Sequence, residues 1–259
     1  MSEDLKGKVA LITGANKDIG YEIARQLGSR GATVLVGARD IKRGEEAANK
    51  LRLNEIDARS VQLDVTDQKT IDSTGKQIES EFGKLDILVN NAGIISDGDA
   101  YGGKLRLPPS QVDIETLRHT YDTNVFGVFA VTKAVLPLLK KSTAGRIVNL
   151  SSGLGSLTQN SDPNYEFADF KLLAYNSSKT AVNALTVLLA AELKDTPIKI
   201  NAADPGFTAT DINQYQGYRT VEQGAIPTGG YAYAAVKLAT LPDDGSSGGF
   251  FDENGVVPW

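Results

Sequence analysis

Val9-Ala10-Leu11-Ile12-Thr13-Gly14-Ala15-Asn16-Lys17-Asp18-Ile19-Gly20 is the stretch that decides the fold. Four consecutive apolar residues suit a strand buried on both faces. Gly14 and Gly20 bracket a turn, and Ile19, Ile23, Ala24 and Leu27 then recur at helical spacing. A strand, a glycine turn and a helix in that order let the backbone approach a phosphate at the positive end of the helix. Only two glycines fall in register, so the stretch alone also reads as an ordinary tight turn.

The same alternation continues outward from it. Short apolar runs recur at Thr33-Val34-Leu35-Val36, Val61-Gln62-Leu63, Leu85-Asp86-Ile87-Leu88-Val89, Arg146-Ile147-Val148-Asn149-Leu150 and Ile198-Lys199-Ile200-Asn201. Segments of helical spacing separate them, such as Ala181, Leu185, Leu188, Leu189 and Leu193. Strand-helix alternation predicts an α/β fold: a parallel sheet with helices on both faces and right-handed crossovers. No linker interrupts residues 1–259, so one domain is expected. Ligands of such sheets bind beyond the carboxyl ends of the strands. Substrate loops are therefore expected around 97–110, 155–173 and 206–232, where glycine, proline and irregular sequence concentrate.

Bulk properties narrow the function. The 259 residues carry a net charge of -5, which offers no attraction to nucleic acid or an anionic membrane. No segment approaches the ~18 apolar residues that span a bilayer. The N-terminal Met1-Ser2-Glu3-Asp4 is acidic where an export signal would be basic, so a cytoplasmic location is expected. There is no cysteine, which removes thiolate nucleophiles and thiolate metal sites. The one histidine, His119, lies in the polar stretch Thr116-Leu117-Arg118-His119-Thr120-Tyr121 and reads as a half-exposed helix residue. No metal site is expected. If the chain is an enzyme, its acid-base chemistry must fall to tyrosine, lysine or carboxylates.

The end of the second apolar run sharpens the phosphate reading. Val36-Gly37 is followed by Ala38-Arg39-Asp40. A dinucleotide with a free ribose 2′-hydroxyl wants a carboxylate at the strand end, and Ala38 stands there. Arg39 supplies a planar donor fork suited to a 2′-phosphate, with Lys17 and Arg43 as further positive charges. This pattern predicts NADP(H) rather than NAD(H). Solvated surface charges are the competing reading.

Further segments fall in order along the chain: Asp64-Val65-Thr66, Asn90-Asn91-Ala92-Gly93, Thr123-Asn124-Val125, Ser151-Ser152, Tyr175-Asn176-Ser177-Ser178-Lys179, and Pro205-Gly206 with Thr210. In combination with the glycine turn they resemble the short-chain dehydrogenase/reductase family over nearly the whole chain. The resemblance implies a Rossmann-type doubly wound sheet and hydride transfer with a nicotinamide cofactor. It implies that Gly14, Asn16, Ile19 and Gly20 form the nucleotide turn, with Lys17 and Asp18 between them also placed at the cofactor, and that Asp64 and Val65 hold the adenine. Asn91, Ala92 and Gly93 would line the cofactor, and Pro205, Gly206, Thr208 and Thr210 would seat the nicotinamide amide. Asn124, Ser152, Tyr175 and Lys179 match the catalytic four. Ser152 is preferred to Ser151 because the second serine matches the motif, and neighbours on a strand face opposite ways.

Two departures stand out. Asp18 replaces the middle glycine of the turn; it could cap the helix, with Lys17 offsetting its charge near the phosphates. Ser152 and Tyr175 lie unusually far apart, and the extra segment Gly155 through Leu173 resembles the insertion of the carbonyl reductase-like branch. The ending Phe250-Phe251-Asp252-Glu253-Asn254-Gly255 to Trp259 is similar to that branch as well. The expected activity is NADPH-dependent reduction of a small ketone or aldehyde to an alcohol, with Tyr175 as proton donor. Lys179, four positions on, would favour the phenolate. Tyr165, Phe167, Phe170, Phe207, Tyr215 and Tyr218 could give the pocket an aromatic surface. The alternatives are an NAD-dependent alcohol dehydrogenase and a non-catalytic nucleotide-binding regulator. A small-molecule substrate is the expected partner, with a monomer favoured over a homo-oligomer.

Overall fold

A computed structural model describes residues 5–97, 107–218, 220 and 231–259. Val9–Thr13 (β1) is buried at every position, as its apolar run requires, and leads through the glycine turn into Asp18–Gly28 (α1). Thr33–Ala38 (β2) is followed by Ile41–Arg52 (α2), and Ala58–Gln62 (β3) by Gln68–Phe82 (α3). Ile87–Asn90 (β4) precedes Ile114–Tyr121 (α4) and Val128–Leu139 (α5), which a π-helical turn, Asp122–Gly127, joins without a break. Arg146–Leu150 (β5) leads to the short Leu157–Ser161 (α6) and the long Leu173–Glu192 (α7). Lys199–Ala203 (β6), Tyr231–Ala239 (α8) and Phe250–Phe251 (β7) complete the described elements.

The strands form one parallel sheet in the order β3-β2-β1-β4-β5-β6-β7. This is the expected Rossmann-type arrangement. Alternate side chains of each strand feed opposite faces. Ala10 and Ile12 join a core with residues of α1, α2 and α8, whereas Val9 and Leu11 join one with residues of α3 and α5. The strand order reverses between β1 and β4, which opens a crevice at their carboxyl ends.

The sheet has two features beyond the sequence reading. β3 starts at Ala58 rather than Val61; as the edge strand it mixes the buried Ala58 and Val61 with the exposed Arg59 and Gln62 instead of running apolar. β7 is a seventh strand of two residues, held by the buried Phe250 stacked on Trp259 at 5.7 Å. The expectation that no segment reaches spanning length also needs correction. The continuous helical run Ile114–Leu139 is long and apolar enough by length and composition. Half of its most apolar window is buried inside the protein, so it is a core helix of this fold.

Candidate active site

The glycine turn sits at the reversal point and is built from backbone. Gly14 has φ +64°, and a Cβ there would stand 3.0 Å from the Ala92 Cα. A Cβ on Gly20 would stand 2.6 Å from the Gly14 carbonyl oxygen. The end of β4 pins this turn. Asn91 Nδ2 donates to the carbonyls of Thr13 at 2.9 Å and Gly14 at 3.1 Å. The Asn91 and Ala92 N–H groups both donate to Thr13 Oγ1 at 2.9 Å. Thr13 was not singled out in the sequence. Asn16 is half-buried beside the turn, and Ile19 lines the adjoining cavity.

Asp18 and Lys17 behave differently from expectation. Asp18 has φ +52°, in the left-handed region where a non-glycine residue costs roughly 1–2 kcal/mol. Its carboxylate accepts from the Asp211 N–H at 3.2 Å instead of capping α1. Lys17, the N-cap of α1, makes no side-chain cap bond, and its Nζ pairs with the Asp211 carboxylate. The two side chains thus reach across the crevice to the segment after β6. The picture of Asp18 capping α1, with Lys17 neutralising it, is corrected by this latch.

At the end of β2, Ala38 is buried and Arg39 is exposed. Asp40 turns its carboxylate back to the Lys42 and Arg43 N–H groups at 2.9 and 3.2 Å, capping α2. The bond from the Arg43 N–H holds this carboxyl below its ordinary range. Arg43 lies 4.0 Å from Asp40 and is exposed. Asp64 accepts from the Thr66 N–H and hydroxyl at 2.9 and 2.7 Å, and Val65 packs under Gly127. A cradle with no room for a Cβ, and an arginine where the nearest carboxylate is committed to a helix cap, fit a phosphorylated dinucleotide.

The α7 helix brings the chemistry. Tyr175 is 9% exposed, and Lys179 Nζ stands 5.5 Å from its ring centroid. The i, i+4 spacing puts both on one face. Lys179 Nζ donates to the Leu150 carbonyl at 2.8 Å. Burial pulls its ammonium down to about 8, against an opposing pull from Asp204. Asn124 lies in the π-helical turn, where such distortions often mark functional sites. Its Oδ1 accepts from the Ile94 N–H at 2.9 Å, and its Nδ2 donates to the Ile94 carbonyl and to Ser178 Oγ at 2.9 and 3.0 Å. Gly93 lies beside both groups: a Cβ there would be 3.4 Å from Asn124 Oδ1 and 3.5 Å from Lys179 Nζ. Ser152 lines the same cavity as Tyr175, whereas Ser151 is buried and donates to Asn183 Oδ1 at 2.6 Å.

One positioning group escaped the sequence reading. The N-cap residue of α7 is Leu172, which has nothing to offer the free N–H groups. The buried Asp97 caps them instead, accepting from Ala174 at 2.7 Å and Tyr175 at 2.9 Å. No local signal announces this, because the cap and the helix are far apart in sequence.

The cavity is walled by the segment before α7 and the segment after β6. Phe167 stacks edge-on with Tyr165 and Phe170, and lies 5.6 Å from each and from Phe207. Tyr218 packs behind Phe207 at 5.2 Å, and Tyr215 is exposed outside the cavity. Burial pushes the Tyr165 phenol well above its usual range. Gly206 has φ +66°, and Pro205, Gly206, Thr208 and Thr210 all line the cavity. Asp204 joins them, a carboxylate that the sequence reading passed over. Of the expected substrate loops, 98–106 in the first and 219 and 221–230 in the third lie outside the described residues.

Fold and site together define a dinucleotide-binding α/β oxidoreductase. Residues 8–219 match the family model described as short chain dehydrogenase, and the chain belongs to that family. It is 36% identical to short-chain dehydrogenase/reductase 1 of Saponaria officinalis, over 97% of this chain and 96% of the relative. It is likewise 36% identical to (+)-neomenthol dehydrogenase of Arabidopsis thaliana, over 96% and 97% of the two chains. The structure of salutaridine reductase from Papaver somniferum superposes with a TM-score of 0.78 at 33% identity, covering 94% of this chain and 99% of that one.

Proposed function

We propose that the protein reduces a small ketone or aldehyde to an alcohol with NADPH. The observation that carries this reading is one cavity, next to the glycine turn, that contains Ser152 and Tyr175 with the buried Lys179 against the tyrosine ring. Relatives named for salutaridine reduction and neomenthol dehydrogenation support the same reaction class. When bound, the nicotinamide supplies the hydride to the carbonyl carbon. Tyr175 gives its hydroxyl proton to the oxygen that becomes the alcohol. Ser152 hydrogen-bonds that oxygen and orients the carbonyl. Lys179 favours the phenolate left behind. Asn124 ties the loop after β4 to α7 and keeps the lysine's surroundings in place. Arg39 takes the 2′-phosphate, and Gly14 through Gly20 take the pyrophosphate. Segments 97–110, 155–173 and 206–232 of a single domain supply the substrate walls.

The test is a panel of ketones and aldehydes followed through NADPH absorbance. Tyr175→Phe is expected to lower kcat by about 10²- to 10⁴-fold and to keep NADPH affinity. Full turnover in that variant removes the proton-donor role. The monomer expected from the sequence leaves Phe126, Phe129 and Leu188 exposed on the helices that carry Asn124 and Tyr175, which weakens that expectation. Light scattering on the purified protein decides it.

A further inference from the structure

Asp204 ends β6 inside the cavity, immediately before Pro205. One carboxylate oxygen, Oδ1, accepts from the Gly206 N–H at 2.8 Å, and the group also accepts from the Gly153 N–H. Beside the other oxygen, Oδ2, stand the Gln159 amide oxygen and the Tyr165 hydroxyl, neither of which carries a positive charge. A Cβ on Gly153 would stand 3.0 Å from Asp204 Oδ2, 2.9 Å from Gln159 Oε1 and 2.5 Å from Tyr165 Oη. Three side-chain oxygens therefore converge over one glycine. Gln159 Oε1 is itself buried with no hydrogen-bond partner. No side chain forms an ion pair with Asp204 among the described residues. Lys179 is near enough to act on it electrostatically but spends its hydrogen bond on the Leu150 carbonyl.

The rings of Tyr165, Phe167, Phe170 and Phe207 line the same cavity as this carboxylate. A half-desolvated carboxylate with no cation hydrogen-bonded to it is unfavourable. Its burial pushes the carboxyl up to about 6, which leaves it mostly ionised at neutral pH. A carboxylate beside aromatic faces is complementary to an organic ammonium: the charge pairs with the former, and the N-alkyl groups lie on the latter. A neutral ketone would fill the aromatic part and leave Asp204 unpaired.

We propose that Asp204 selects the substrate, an apolar ketone bearing a protonated amine, with the ammonium at Asp204 and the aromatic rings and the carbonyl at Ser152 and Tyr175. This rests on the reductase reading and narrows its substrate class. Specificity follows from the rule that a site with buried polar groups rejects an analogue that leaves them unpaired.

The experiment compares 1-methyl-4-piperidone, protonated at neutral pH, with its carbon analogue 4-methylcyclohexanone. Both kcat/KM with NADPH and equilibrium affinity for the NADP-loaded protein are measured. The amine is expected to be favoured by about tenfold or more in both readouts, and Asp204→Asn, which keeps an acceptor for the Gly206 N–H, is expected to bring the ratio close to one. Equal affinities for the two compounds in the unaltered protein overturn the proposal without any variant. A preference that persists in Asp204→Asn also overturns it, as does a variant that changes only NADP affinity relative to NADPH. If neither ketone is turned over, the reductase reading is what fails for these ketones, and the affinity ratio still decides the role of Asp204.

Discussion

The two sides of the cleft are made of different material. At the glycine turn the walls are mostly backbone: the Gly14 carbonyl and the Cα atoms of Ala15 and Ala92, with the Asn91 amide that is tied to the Thr13 and Gly14 carbonyls, stand where an added side chain would go. At the aromatic cavity the walls are the far ends of side chains, those of Tyr165, Gln159 and Asp204 around Gly153. Backbone walls fix one shape for a cofactor that never changes. Side-chain walls can be exchanged residue by residue, which suits the side that chooses among substrates.

The largest effect that tests this contrast pairs Gly20→Ala with Gly153→Ala. The Gly20 methyl group would meet the Gly14 carbonyl at 2.6 Å and press on the Asn91 amide, which is itself hydrogen-bonded to the Thr13 and Gly14 carbonyls. Overpacking of that kind costs about 1–3 kcal/mol, and the turn it distorts is the proposed pyrophosphate seat. Gly20→Ala is expected to abolish measurable NADPH binding and to lower the urea midpoint clearly. The Gly153 methyl group meets three movable side-chain ends, so its cost should stay below about 1 kcal/mol. Fluorescence titration and urea unfolding check both, and equal costs at the two sites would break the comparison.

The next effect lies where the two sides meet. Lys179 is buried, with its ammonium pulled down to about 8 from an unfolded value of 10.5. Between those values the unfolded chain binds more protons than the folded one, so stability rises with pH across that window. Below pH 8 the whole penalty is present, about 3 kcal/mol. Lys179→Met removes it, at the cost of the bond to the Leu150 carbonyl. Thermal unfolding of the cofactor-free protein is expected to gain a few degrees at pH 7 in this variant, and to lose the rise in stability between pH 8 and 10.5. An unchanged pH slope in the variant would mean that the ammonium is not desolvated in the fold. The site would thus keep a destabilising lysine for its chemistry.

Which parts of this were legible follows from the same contrast. β1, the turn and α1 could be read because an apolar run, two glycines and a 3.6-residue period are local patterns. The Tyr175–Lys179 pair was legible for the same reason, since helical spacing alone puts both on one face. Asp97 was not, because it caps α7 from 77 residues away while Leu172 occupies the helix's own cap position. Asp18 was visible as a departure, but its partner Asp211 is 193 residues on, and no local rule links them. β7 has two residues, too few to show a period. Asp204 could have been flagged, because a carboxylate at the carboxyl end of a parallel strand stands where ligands bind.

The smallest effect separates two cations that the sequence could not rank. Arg39 is exposed at the end of β2, and Asp40 beside it is committed to the α2 cap. A charged hydrogen bond to a phosphate contributes about 1.5–3 kcal/mol, so Arg39→Ala should weaken NADPH by roughly 10- to 100-fold and spare NADH. Lys17 instead pairs with Asp211, and the two side chains are 46% and 61% exposed. A pair so exposed contributes less than about 1 kcal/mol and is screened by salt. Lys17→Ala should therefore shift unfolding only slightly, less so in high salt, and leave the NADPH-to-NADH preference as it was. Titrating both dinucleotides against both variants measures this. A loss of preference in Lys17→Ala equal to that in Arg39→Ala would mean that Lys17 leaves Asp211 when the dinucleotide binds, and that the latch across the crevice belongs to the cofactor side after all.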